Sequence, residues 1–159
     1  MIDRPSRDKL AEALRQYVSG RITNDTLDDI KVDERDNGAV AVKEAAWYLY
    51  DDLHEHKAAD GFYIDKKDRK EIARWIVFLQ SDEEYIWPKM SILDFILSML
   101  TFGLYRKIQQ NRWKKIGDLN VWPFGSENEL RKATAKPKLF AGKAHNKSKE
   151  TNQKPEAAF

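Results

Sequence analysis

The sequence predicts an all-α protein: a compact bundle of about five or six helices, interrupted by extended Trp-Pro segments and followed by a disordered basic C-terminal tail. Two observations carry that expectation. Apolar residues recur at intervals of three and four through most of the chain, and no stretch of useful length alternates in the strand manner.

Taken in order, Leu10, Leu14, Tyr17 and Val18 mark a first helix over about Ser6 to Ser19, which Gly20 stops. "TNDTLDDI" makes a short second helix, capped by Thr23 or Asn24, with Leu27 and Ile30 on one side. The turn "DERDNG" follows. Val42, Ala46, Leu49, Tyr50 and Leu53 then mark a helix of about four turns ending near His56. "ADG" breaks it, and Asp65 caps a helix from about Lys66 that carries Ile72, Trp75, Ile76 and Leu79. That helix ends before "YIWP", because Pro88 pushes Trp87 toward extended geometry.

The run "MSILDFILSMLTFGLY", residues 90–105, is the most apolar segment, with Ser91, Asp94, Ser98, Thr101 and Tyr105 in one polar stripe. A basic segment continues it, helical to Ile116, and "GDLNVWPF" is extended again because of Pro123. "SENE" at 126–129 is a capping box, Ser126 at N-cap and Glu129 at N3, opening a short helix through Ala135. The text beyond Lys136 has low hydrophobicity and no period. The expected division is a helical domain, 1–134, and a tail, 135–159.

Composition narrows the function. The chain has 159 residues and no Cys, which rules out disulfides and thiolate metal sites. The N-terminus "MIDRPSRDKL" has no apolar signal-peptide core, so the expected location is cytoplasmic. Residues 1–88 carry a net charge of −6 and residues 89–159 a net charge of +8. Either the basic half meets an anionic partner or the halves neutralise each other on folding.

No catalytic constellation stands out, so the chain reads as non-enzymatic, with no cofactor, no metal and no small-molecule substrate indicated. Asp52 and His56 sit i, i+4 on the expected helix and give the start of a metal site, but the pattern is not H-E-x-x-H and no third ligand is signposted. A solvated charged face explains them. "DERDNGAVAVKE" places Asp33, Asn37, Gly38, Val40 and Glu44 at calcium-loop positions, but Arg35 stands where an oxygen ligand is required. A turn leading into a helix explains that stretch.

The run 90–105 spans about 24 Å as helix, against a hydrocarbon core of about 30 Å. Its eight Leu, Ile and Phe residues gain about 4 kcal/mol of insertion free energy, and Asp94 costs about 3 kcal/mol. A membrane span is not expected. Two readings remain: a central bundle helix, or a segment that docks on a membrane surface or a partner.

Two segments share a pattern, "DEEYIWP" and "DLNVWPF", each with a carboxylate, a β-branched residue and Trp-Pro. Each follows an Arg-Trp pair, but with eleven intervening residues in one case and eight in the other, so this is punctuation rather than a repeat. Proline stops the helix and the preceding Trp drops onto the bundle; the functional alternative is an exposed aromatic recognition pair.

The residues Arg74, Trp75, Ser81, Asp82, Tyr85, Trp87 and Pro88, then Asp118, Trp122, Pro123 and Phe124, form a signature. Over roughly residues 7–134 the chain resembles a family of small bacterial helical proteins of unknown function. The resemblance implies a bacterial origin and a domain that includes the second Trp-Pro, and it brings no catalytic residue.

The function expected first is an interaction or regulatory module acting on a protein partner. The second is a peripheral membrane protein at the inner face of the membrane, using 90–105 and the basic segment 106–115. The third is a nucleic-acid-associated protein, with Trp113 stacking among the cations. The candidate contact residues are Trp87, Arg106, Lys107, Arg112, Trp113, Lys114, Lys115 and Trp122.

Overall fold

The computed structural model describes residues 1–49, 53–58, 64–88 and 112–135. The expected helix 90–105, Arg106, Lys107 and the tail beyond Ala135 lie outside the described residues. Among the described residues the protein is helical and has no strand. Five α-helices lie wholly within the described residues: α1 (Arg4–Val18), α2 (Asn24–Asp28), α3 (Asn37–Ala46), α4 (Lys66–Gln80) and α5 (Glu127–Thr134). No helix of the described residues is long and apolar enough to cross a membrane.

Each helix starts at a side-chain cap that takes up a backbone N–H left without a partner inside the helix. Asp3 caps α1, Thr23 caps α2, Asp36 caps α3, Asp65 caps α4 and Ser126 caps α5. The first helix begins at Arg4, two residues before the expected Ser6, because Asp3 accepts the Ser6 N–H and Pro5 suits the first turn. At α5 the box is offset by one: Glu129 Oε2 accepts the N–H of Gly125, at 2.9 Å, rather than that of Ser126.

The core forms where α1 lies along α4, with α3, α2 and α5 packed around them. Leu10, Ala11, Leu14 and Tyr17 of α1 meet Ile72, Trp75, Phe78 and Leu79 of α4, and α3 adds Ala39, Val42 and Ala46. One ion pair is buried within this packing. Arg7 and Asp36 are each 1% exposed, with Arg7 Nε donating to Asp36 Oδ2 at 2.7 Å and Nη2 to Oδ1 at 3.0 Å.

Burial of that pair is offset by saturation of its hydrogen-bonding capacity. Asp36 also accepts from the backbone N–H groups of Asp3, Gly38 and Ala39, so one carboxylate joins the start of α1 to the start of α3. Burial alone would raise its pKa; the Arg7 hydrogen bond, then those from Asp3 and Ala39, outweigh it and hold the carboxyl below its ordinary value. The guanidinium lies 4.9 Å from the Phe78 ring centroid and donates to the Glu83 carbonyl at 3.0 Å. With Arg4, which donates to the carbonyls of Leu79 and Ser81, it serves the backbone where α4 ends.

Gly38 has no room for a side chain, since a Cβ there would lie 2.8 Å from both Arg7 Nη2 and Phe78 Cε1. The glycine of "DERDNG" is therefore part of α3 and not of a turn before it.

Three expectations need correction. The helix expected from Val42 to His56 is instead α3, which starts at Asn37, ends at Ala46 and passes into a 3-10 turn over Trp47–Leu49. The cap at Asp36 sets its start. Its far side is fixed by a pairing with α2: Asn24 N–H donates to the His56 carbonyl at 3.0 Å, and the His56 N–H donates to Asn24 Oδ1 at 2.7 Å. That pairing holds His56 outside any helix, so it shares no helical face with Asp52, which lies outside the described residues.

His56 is 8% exposed, so it does not lie on a solvated face. Its Nδ1 lies 3.0 Å from the His54 carbonyl, which can only accept, and its Nε2 lies 3.1 Å from the Tyr17 hydroxyl.

The third correction concerns the approach to the second Trp-Pro. Helical backbone ends at Trp113, with 114–116 in a turn whose Gly117 N–H returns to the Trp113 carbonyl at 3.1 Å. The stretch before Pro123 is a 3-10 turn, Leu119–Val121, capped by Asp118, which is itself extended; Trp122 closes the turn at φ −47° and ψ 137°.

Candidate functional site

The two Trp-Pro segments come together and interlock. Trp87 of the first is 4% exposed and donates from Nε1 to the carbonyls of Pro123 and Phe124, at 3.1 and 3.3 Å. Trp122 of the second donates from Nε1 to the Tyr85 hydroxyl at 3.3 Å. Each segment thus presents its indole N–H to the other, and both polar ends are satisfied as the rings enter the packing.

Arg74 ties this corner to α4 by donating to the Asn120 carbonyl at 2.6 Å. Behind it runs a chain of rings in edge-on contact. Tyr48 meets Trp75, Trp75 meets Trp122, and Trp122 meets Tyr85, at centroid separations of 6.0, 6.0 and 6.5 Å. Tyr85 in turn meets Phe78, and Phe78 meets Phe124.

The sequence candidates therefore separate. Trp87 is a buried pin. Trp122 and Trp113 are half-buried, Trp113 standing edge-on to Trp87 at 6.4 Å. Arg112, Lys114 and Lys115 are exposed. Arg106 and Lys107 lie outside the described residues.

Between this corner and the outer face of α3 lies a cleft of about 270 Å³. Its aromatic wall is Tyr85, Trp113 and Trp122, with Pro88 beside them. Its other wall is α3, through Val40, Ala41, Glu44 and Ala45. Burial raises the Tyr85 hydroxyl above its ordinary value, the hydrogen bond from Trp122 opposes that, and the Glu44 carboxylate raises it further.

A second, broader cleft lies on the other side of the same ridge and shares Val40 and Glu44 with the first. Val32, Lys31 and Lys43 line it together with Trp47, which is 64% exposed. Tyr48, next along, is 54% exposed.

Trp47 was not among the residues singled out from the sequence, though the signal was present. It falls at i+7, i+4 and i+3 from Val40, Lys43 and Glu44, on the polar side of α3 rather than on the stripe of Val42 and Ala46.

The calcium-loop residues do not converge. Asp33 is engaged by Arg35, whose Nη2 donates to Oδ2 at 2.6 Å, and that hydrogen bond takes the carboxyl down to about 2. Asn37 and Glu44 lie two turns apart along α3. Among the described residues no three His, Cys, Asp or Glu side chains are grouped to hold a metal ion. Compared with family models, curated proteins and solved structures, the chain matches none.

Proposed function

We propose that the protein is a non-enzymatic interaction module that holds a protein partner on the outer face of α3 and the Trp-Pro corner beside it. The observation that carries this reading is the ridge itself. Val40 and Glu44 line both clefts, and Trp47 lines one of them with 64% of its surface open. An exposed Trp beside a half-apolar cleft has the composition of a binding hot spot, where a few buried aromatic anchors supply most of the affinity. A rigid scaffold supports it, since α3 is fixed at its start by the Arg7–Asp36 pair and the corner by the two indole hydrogen bonds.

The test is affinity capture from extracts of the cells that express the protein, run in parallel with wild type and Trp47→Ser. Circular dichroism confirms that both are folded. The expected result is a partner retained by wild type and lost from Trp47→Ser. Identical capture by the two proteins contradicts the reading.

A membrane-surface function has one observation in its favour: the turn after Trp113 exposes Lys114, Lys115 and Ile116, the last at 41%. Flotation with anionic vesicles that persists at moderate salt would favour it over the protein-partner reading.

A further inference from the structure

We infer that the cleft between α3 and the Trp-Pro corner receives a basic side chain, lysine or arginine, from the partner. The inference rests on the interaction reading and names the chemistry of what is bound.

Three aromatic side chains and one carboxylate define the space. Tyr85 and Trp122 stand at 88° to each other with centroids 6.5 Å apart, like adjacent walls, and Trp113 supplies a third. The negative π-faces of Trp and Tyr attract a cation held within about 6 Å of the ring centre. Pro88 and Val40 line the same space and suit the methylene stem that lysine and arginine carry behind their charge.

Glu44 gives the cleft its sign. It is exposed, lines the cleft, and makes no ion pair with any described residue. Its neighbour Lys43 lines the second cleft and not this one, donating to the Asp28 carbonyl at 2.8 Å. A carboxylate without a counter-ion among the described residues, beside electron-rich rings, disfavours an anionic occupant and favours a cationic one. A volume of about 270 Å³ accommodates one long side chain and not a folded element.

The experiment uses the full chain and follows its five Trp indole N–H signals by ¹H–¹⁵N NMR. The probes are three capped tripeptides, Ala-Lys-Ala, Ala-Arg-Ala and Ala-acetyl-Lys-Ala, at constant ionic strength. The lysine and arginine peptides are expected to shift Trp113 and Trp122 saturably, with Kd on the order of 1 mM. The acetylated peptide, neutral and otherwise alike, should leave both signals in place. Glu44→Gln should weaken the lysine peptide about threefold, while the signals of Trp75 and Trp87, which line neither cleft, keep their unliganded positions.

Equal shifts from all three peptides, or no shift from any, overturn the inference. Its failure is separable from failure of the interaction reading. Partner capture that needs Trp47 but is indifferent to Glu44→Gln removes the basic side chain and keeps the module. Basic peptides that bind while capture is unaffected by Trp47→Ser remove the proposed partner face.

Discussion

Replacing Arg7 by Met probes the joint on which the placement of α3 depends. The side chain is 1% exposed, and its loss leaves Asp36, also 1% exposed, with three backbone N–H donors and no counter-charge. The thioether fills much of the guanidinium volume, so cavity formation is a minor part of the effect. The principal part is an uncompensated buried carboxylate, which costs about 3–5 kcal/mol when one partner of a buried pair is removed. For a domain of this size that corresponds to a fall in Tm of roughly 10–20 °C.

The pH dependence identifies the cause. In wild type the folded Asp36 carboxyl lies below its ordinary value of 3.8. Its stabilising contribution is therefore complete above that value and is lost as pH falls through the lower folded one. In Arg7→Met the cation is gone and burial raises the carboxyl instead, so acid neutralises the exposed fault first in the variant. Urea unfolding at pH 7 and again near pH 4 should show a large gap between the proteins that narrows on acidification. A gap below about 1 kcal/mol at pH 7, or one that widens toward pH 4, would refute the reasoning.

Three further outcomes follow from the packing. Trp87→Ala should lose about 3–5 kcal/mol in denaturant unfolding, and Trp87→Phe, which keeps a ring but leaves two carbonyls without their donor, distinctly less. Gly38→Ala should destabilise by about 1–3 kcal/mol, although alanine is the better helix former, because its Cβ meets Arg7 and Phe78 at 2.8 Å; a rise in Tm would contradict the described contact. Ser126→Ala should lower stability by about 1 kcal/mol through loss of the α5 cap, visible as a shifted urea midpoint at unchanged m-value.

Local signals in the sequence located α2, α4 and α5 well, because each is announced by a capping residue three positions before the N–H it receives, as Asp65 is to Asp68. They misplaced α3 because its limits are set at long range. Asp36 is a cap whose strength comes from Arg7, twenty-nine residues away, and His56 is tied to Asn24 by hydrogen bonds that no periodicity records. Leu53, one of the apolar series that marks the expected helix, lies outside any helix and is 83% exposed.

The Trp-Pro segments were legible as stops to a helix, which is a property of proline. That each would donate its indole N–H to the other could not be read, because it depends on the turn Leu119–Val121 and on Gly117 and Gly125 approaching so closely that a Cβ on Gly117 would lie 2.5 Å from the Gly125 carbonyl. The cleft arises only once that corner meets α3. Glu44 and Trp113 are ordinary surface residues until then.

The claim that α3 presents a partner-binding face is tested most directly by photo-cross-linking in living cells. A photoreactive amino acid is placed at residue 47, and in a control protein at exposed Lys9 of α1. A discrete protein adduct from position 47 and none from position 9 is the result expected of a face that holds a protein. No adduct from position 47, or the same adducts from both positions, would contradict it.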